Sequence, residues 1–299
     1  MRKFFICIIT LILLFGLCAC QGDTKVRKIE FPKIAQELHD SVPFNFNIGD
    51  QKNMMGKELP LYKIVRRRTP KNEKYYDECL FKVFAGSINE TIKRDRFTKY
   101  VCNDGDSLEI YDDGNYVFTS KRSSKETMEV SDRAIILLAE EYLKNNALLP
   151  DGFKAGKTLG GTYNADGTPV MKSVGFYHKI NGYEIYGRSD ITVEIDAYGI
   201  CAIYSIYSNY EFEKNVRCLS YEEVLDIDPL QEGQILYDPA KLKGKIDSVI
   251  INELKIMYYD SPVNQPELNY IQPIYQFMGT IFDSDGNSTD YYWTISAIP

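Results

Sequence analysis

The chain has 299 residues, a formal net charge of −7, and charged side chains at 26 % of positions. That acidic balance argues against a general nucleic-acid binder, which would carry a basic footprint. It has only two histidines, His39 and His178, with no HExxH pattern and no CxxC, so zinc-protease, zinc-ribbon and thiol-oxidoreductase chemistry are disfavoured.

The N-terminus reads Met1-Arg2-Lys3, then an apolar stretch from Phe4 to Leu17, then Cys18-Ala19-Cys20. A short positive region, an apolar core and small residues at the end make an export signal. The core is shorter than the roughly 20 residues a membrane-crossing helix needs. Leu17-Cys18-Ala19-Cys20 resembles the lipobox of bacterial lipoproteins, with Cys18 a departure at its tolerant position. The resemblance implies cleavage before Cys20, lipid on that cysteine, and attachment to the outer face of a membrane. Acyl chains contribute about 0.8 kcal/mol per buried methylene, so several of them hold a protein almost permanently. Loss of Arg2 and Lys3 with the signal, which contains no acid, moves the net charge from −7 to −9.

Residues 1–19 are therefore expected to be the signal peptide and 20–56 a lipidated tether with one short helix over Pro32–His39. A β-rich section, 57–125, is expected next, with strands at Leu61–Val65, Glu78–Phe84, Phe97–Cys102, Leu108–Tyr111 and Tyr116–Thr119. Asp112-Asp113-Gly114-Asn115 marks a hairpin between the last two. Ser131–Leu148 reads as a helix, capped by Ser131, with Ile135, Leu138, Ala139, Tyr142 and Leu143 as its apolar stripe. It opens a section, 126–215, with strands at Val170–Ile180, Tyr183–Tyr186 and Ile191–Ile195 and a long one over Ile200–Tyr210. Asn181-Gly182 turns the first hairpin. A final section, 216–299, starts with a capping box at Ser220-Tyr221-Glu222-Glu223. It continues with strands at Ile246–Met257, Ile271–Phe282 and Thr289–Ile298, the last two joined by the turn Asp283-Ser284-Asp285-Gly286-Asn287. The sum is an α+β chain of antiparallel sheets with one packed helix each, in two related units.

The stretch from Phe176 to Gly199, with Asn181-Gly182, Ile185-Tyr186-Gly187 and Ile191-Thr192-Val193-Glu194-Ile195-Asp196-Ala197-Tyr198-Gly199, resembles the FTP and PepSY modules of thermolysin-type propeptides. Tyr270–Gly279 is similar to the closing hairpin of the same group. The pattern is also similar to the YycI and YycH regulators of a cell-wall histidine kinase. The resemblance implies tandem units of that kind and a regulatory contact with an envelope protein, although no protease domain follows.

Four cysteines remain after Cys20: Cys79, Cys102, Cys201 and Cys218. In an exported chain they permit disulfides, most simply Cys79–Cys102 and Cys201–Cys218; buried free thiols are the other reading. Gly152–Thr158 has a passing likeness to a phosphate loop but is a residue short of it, and reads as a loop. Asp283, Asp285 and Asn287 have the 1-3-5 spacing of a calcium loop but lack its glycine and its closing glutamate. Asp226/Asp228 and Glu140/Glu141 fall at helix ends or exposed faces. Arg66-Arg67-Arg68, with Lys71, reads as a solvated strand end, and His178 as a packed or hairpin-surface histidine. The 23 tyrosines suit strands with one wet face, or a carbohydrate platform. No cofactor, metal or catalytic residue is expected. The expected function is a non-enzymatic extracytoplasmic interaction module held to the membrane through Cys20, for an envelope protease, sensor kinase or wall-synthesis protein. The alternatives are a glycan- or peptide-binding surface lipoprotein and a hydrolase using paired carboxylates.

Overall fold

The computed structural model describes residues 29, 31, 42–84, 86–122, 124–187, 190–260 and 269–299. The signal, Cys20 and the short helix expected over Pro32–His39 lie outside the described residues. The chain is α+β, with strands predominating.

Alternation of apolar and polar residues builds the first sheet. Strands β3 (Ile88–Lys93), β4 (Phe97–Cys102), β5 (Ser107–Tyr111) and β6 (Tyr116–Thr119) form an antiparallel meander. A second meander runs through β7 (Phe153–Tyr163), β8 (Pro169–Ile180), β10 (Asp190–Asp196) and β11 (Gly199–Ile206). Antiparallel pairing of β6 with β11, from Thr119↔Ala202 to Tyr116↔Ser205, fuses them into eight strands in the order β7-β8-β10-β11-β6-β5-β4-β3. Each meander is preceded by a helix, α1 (Glu73–Phe84) or α2 (Asp132–Asn145). The chain thus contains two helix-plus-four-strand units, back to back across β6 and β11.

Both helices cover one face of this sheet. Leu80 and Phe84 of α1 and Ile135, Ala139 and Leu143 of α2 share a core with Leu108, Ile110, Val174, Phe176, Val193 and Ile203. The one-sided core follows from the two-residue period of a strand, which sends those alternate residues to the same face. Leu138, expected in the α2 stripe, is 45 % exposed, because a stripe through Ile135, Ala139 and Leu143 leaves it to one side.

The second core lies under β14 (Ile246–Asp260), β15 (Tyr270–Asp283) and β16 (Ser288–Ser296), with β13 (Gln234–Tyr237) on the outer edge of β16. Strand β1 (Phe44–Phe46) lies parallel along β14, so the sheets are not wholly antiparallel. Val42, Ile48 and Met55 are buried with it; the body therefore begins well inside the segment expected as tether. A ribbon of β2 (Glu58–Val65) and β12 (Asn209–Arg217) joins the start of β15. Strand β9 (Tyr183–Gly187) makes a hairpin with β8 and then runs parallel to β14, linking the two cores. The short helix α3 (Tyr221–Leu225) has the full capping box at Ser220 and Glu223.

Tyrosine abundance is largely explained by these cores. Tyr258, Tyr275 and Tyr291 are fully buried, and the first two donate their hydroxyl hydrogens to the carbonyls of Pro60 and Leu219. A tyrosine brings a large apolar body and a polar tip, so it fills a core and pins a neighbouring strand together.

Two segments differ from expectation in type. Glu78–Phe84 is helical, within α1, because Thr69 and Asn72 start the helix upstream. The carbonyl oxygens of Thr69 and Asn72 accept from the N–H groups of Glu73 and Tyr76, and Leu80 and Phe84 fall one turn apart on the buried side. The Gly152–Thr158 loop is instead the start of β7, whose pairing with β8 shifts register repeatedly along its glycine-containing run. The expected long strand over Ile200–Tyr210 is two strands in different parts of the fold. The break falls at Tyr207, whose N–H is taken by the Asn115 side chain at 3.0 Å.

Helix α2 closes in a Schellman turn: Leu148 N–H reaches the Leu143 carbonyl at 2.8 Å, and Ala147 N–H reaches Lys144 at 3.0 Å. This motif places its central residue in the left-handed region, which normally calls for glycine. Here it is Ala147, at φ +54°. Ala147→Gly is expected to stabilise the fold by about 0.5–1 kcal/mol, because the Cβ strain of that conformation is removed. Calorimetric unfolding checks this; a lower midpoint for the variant would contradict it.

Candidate functional site

Three consecutive arginines leave the end of β2, and the structure treats them differently. Arg68 is pinned by carboxylates: its Nε and Nη2 donate to Asp77 at 2.9 and 3.0 Å, and Nη2 to Glu73 at 2.7 Å. Arg67 is 8 % exposed, and its hydrogen bonds go to neutral acceptors. Nη1 donates to Ser205 Oγ at 3.1 Å, and Nη2 to Asn115 Oδ1 at 2.8 Å and to the Ser205 carbonyl at 3.2 Å. The Tyr207 ring lies against the guanidinium, 3.7 Å from its central carbon. Among the described residues no carboxylate forms an ion pair with Arg67, and its Nε is buried without a partner. The solvated strand end expected for this triplet with Lys71 describes Arg66 and Lys71, which are exposed, but not Arg67 and Arg68, over which the following turn and helix fold back.

The β5–β6 hairpin turn holds Arg67 in place. Arg67 N–H donates to the Asp113 carbonyl at 3.0 Å, and Gly114 sits at φ +92° against the backbone of Arg67 and Arg68. A Cβ on Gly114 would lie 2.7 Å from both Arg67 Cβ and Arg68 N, so only glycine fits. Asn115 is fixed in turn by Asp113, which accepts from its backbone and side-chain nitrogens at 2.9 and 2.8 Å.

Arg67 forms part of the floor of a groove of about 590 Å³ between α1 and the C-terminal end of α2. Tyr116 and Tyr207 complete the floor; Tyr75, Tyr76, Cys79, Leu80, Lys82 and Val83 form the α1 wall, and residues 145–148 form the other. The Tyr76 hydroxyl donates to the Gly114 carbonyl, and burial pushes its pKa up to about 12, against the lowering effect of Arg67. Burial likewise raises Tyr116, so both phenols stay neutral; Tyr76 already donates to Gly114, and the Tyr116 hydroxyl, close to Ser205, makes no well-aligned hydrogen bond.

Behind the floor runs a line of rings. Tyr207 meets Phe153 edge-on at 4.8 Å, Phe153 stacks on His178 at 5.0 Å, and His178 stacks on Tyr210 at 5.9 Å. His178 is thus a packed histidine. Burial holds its pKa below the ordinary value, and its Nδ1 has no partner.

The other candidates do not assemble a site. Cys79, Cys102, Cys201 and Cys218 are all free thiols, so neither expected disulfide is formed. Cys102 lies under α1 with its thiol 3.8 Å from the Phe84 carbonyl, Cys201 belongs to β11 of the first sheet, and Cys218 to the second core. Asp283 is a turn anchor: its two oxygens accept from the backbone N–H groups of Lys243, Gly244, Asp285 and Asn287. Burial alone would raise its pKa, but these donors outweigh it and hold the carboxyl well below the usual range. Glu140 pairs with Lys144, and Asp228 caps Leu230 N–H. An acidic hollow of about 480 Å³ lies at the other end of the β6–β11 pair, lined by Asp104, Asp106 and Asp196 among others. Asp106 and Asp196 are already engaged with Ser120, Lys121, Ser124 and Tyr198. Among the described residues, no group of three or more His, Cys, Asp or Glu side chains is placed to hold a metal. No described helix is long and apolar enough to cross a membrane.

No protein-family model and no curated protein matches this sequence. The chemistry of the groove therefore carries the functional argument. It offers a desolvated cation, the neutral Tyr116 phenol and an apolar wall, features suited to binding.

Two outcomes are expected. Gly114→Ala should destabilise the protein by about 1–3 kcal/mol, from positive-φ strain and backbone collision, measured by chemical denaturation. The second concerns His178. Its folded pKa lies below the unfolded value of about 6.5, so the unfolded chain takes up the proton first. The stability that neutral His178 provides is fully present above pH 6.5 and is lost as pH falls through the folded value. His178→Phe keeps the stack and should flatten the stability profile between about pH 7 and 5; identical profiles for variant and parent would refute this.

Proposed function

We propose that this chain is an exported, non-enzymatic binding module, tethered by lipid on Cys20 to the outer face of a membrane, which engages an envelope partner through the α1–α2 groove. The observation carrying this reading is Arg67, a buried guanidinium with neutral acceptors, an unused Nε–H and, among the described residues, no ion-paired carboxylate. Withdrawing a charge from water costs several kcal/mol even after relaxation, and neutral hydrogen bonds with a cation–π contact of about 2 kcal/mol offset this in part. A site kept in that condition next to an open groove suits an arriving anionic group. The export signal and the Leu17–Cys20 motif support the location.

The two helix-plus-four-strand units also suit the PepSY-like reading. The second of them contains the Phe176–Gly199 stretch that resembles those modules, and a partner protein in the envelope is what that resemblance implies. The sheet face opposite the helices supports contact with a protein, and edge strands such as β3 leave main-chain groups available for it.

Cross-linking in intact cells, followed by affinity recovery, tests the reading. The parent chain should recover one or more envelope proteins, Arg67→Gln should lose them by at least tenfold, and Cys20→Ala should release the chain from the membrane fraction. Circular dichroism of Arg67→Gln shows whether it folds, and the exposed Lys82→Gln provides a milder lesion at the same groove. Undiminished recovery by both groove variants would sink the reading.

A further inference from the structure

Among the described residues, Arg67 and Lys82 are the only charged ones lining the groove, and no carboxylate lines it, although acids outnumber bases in the chain by 42 to 35. The guanidinium has five N–H groups, of which three are used, by Ser205 Oγ, Asn115 Oδ1 and the Ser205 carbonyl. The Nε–H and one Nη1–H remain, and the nearby Tyr116 hydroxyl, close to Ser205, makes no well-aligned hydrogen bond. Among the described residues, one hollow is thus lined by a cation with no ion-paired carboxylate, by the Tyr116 phenol and by the apolar side chains of Leu80, Val83 and Leu148. Its volume falls in the range of small-ligand sites.

We infer that the α1–α2 groove is a carboxylate-binding site. The anion seats on Arg67 and Tyr116, and the group bearing it lies along the apolar wall between Tyr75 and Leu148. This deepens the binding-module reading and rests on it. Charge count favours a carboxylate over a phosphate ester. A carboxylate carries one negative charge, which Arg67 alone balances, whereas a phosphate monoester carries about −1.5 to −2 at neutral pH. Its excess would depend on Lys82, which is exposed and well screened by water. Such a carboxylate occurs at the C-terminus of a peptide or on an acidic side chain, and the structure assigns the shared chemistry.

The test is calorimetric titration of the full chain in detergent micelles with matched probes. N-acetyl-leucine carries a terminal carboxylate, N-acetyl-leucinamide has none, and N-acetyl-aspartic acid α-methylamide carries it on the side chain alone. At least one of the two acids should bind with at least tenfold higher affinity than the neutral amide, and the tighter acid identifies the source. Inorganic phosphate should bind more weakly than that acid. Arg67→Lys, which keeps the charge and loses the Nε–H and the bonds that position the cation, should weaken the acid at least tenfold. Lys82→Gln, at an exposed position that does not threaten folding, should weaken it about two- to threefold. Equal binding of the tighter acid and the amide overturns the inference, as does the absence of heat from both acids at about 10 mM or preference for phosphate. If the acids fail while recovery of cellular partners still depends on Arg67, the carboxylate assignment falls and the groove's role stands. If recovery is also independent of Arg67, both fall.

Discussion

Strand β6 meets β11 over four residue pairs, from Thr119↔Ala202 to Tyr116↔Ser205, and that short ladder sets the geometry of everything around the groove. It turns two four-stranded meanders into one continuous sheet. Because cross-strand partners face the same way, it also aligns the buried rows, with Phe118 opposite Ile203 and Tyr116 opposite Ser205. Helices laid on that common face must approach each other, and the gap between α1 and the end of α2 is the groove. A one-residue slip of β6 against β11 would turn Tyr116 and Phe118 to the opposite face. Arg67 guards against such a slip by bonding both strand ends, through Asn115 before β6 and Ser205 within β11.

The same arrangement explains why a cation is tolerated there. Asn115 accepts from Arg67 and from Tyr207 N–H, so one amide oxygen both ends β11 and holds the guanidinium. Tyr207 then leaves the strand and lays its ring on the cation, backed by Phe153, His178 and Tyr210. A ring stacked this way has little freedom left to lose when a ligand docks, which lowers the entropic cost of binding. Protonation of His178 would place a second positive charge in that stack, some two rings from Arg67, so the neutral histidine suits the cation's environment.

Much of this architecture was legible from residue patterns and some was not, for identifiable reasons. Hairpin turns announced themselves: Asn181-Gly182 adopts φ of +49° and +86°, and the capping box at Ser220 forms as its spacing requires. Strand β3 escaped because Ile88–Lys93 is exposed or half-exposed throughout and has no alternation to read. Strand β7 escaped because Gly156, Gly160 and Gly161 break its pattern; at Gly161 a Cβ would collide with the Met171 carbonyl. Helix α1 looked like a strand since Tyr75, Tyr76, Phe81, Val83 and Phe84 favour extended chain locally, and tertiary packing of Leu80 and Phe84 overrode that preference. The groove itself was in plain sight as Arg66-Arg67-Arg68. What the one-dimensional pattern lacked was the pairing: Asp77 and Glu73 claim Arg68, whereas the hairpin and β11 bring Arg67 an amide, a hydroxyl, a carbonyl and a ring.

Charge distribution bears on how such a groove would work. The body is acidic, and Asp104, Asp106 and Asp196 gather at the opposite end of the β6–β11 pair from Arg67. The field at a distance therefore repels an anion instead of steering it inward. Beyond a Debye length of about 8 Å at physiological ionic strength that repulsion is screened, so approach is not prevented. Attraction begins at close range, where water is excluded and each charge-assisted hydrogen bond contributes about 1.5–3 kcal/mol. Selectivity then comes from fit against Leu80, Val83 and Leu148 and not from electrostatic capture. If the chain is tethered to a membrane as proposed, it would meet partners already concentrated beside it, and short-range recognition of this kind would be sufficient.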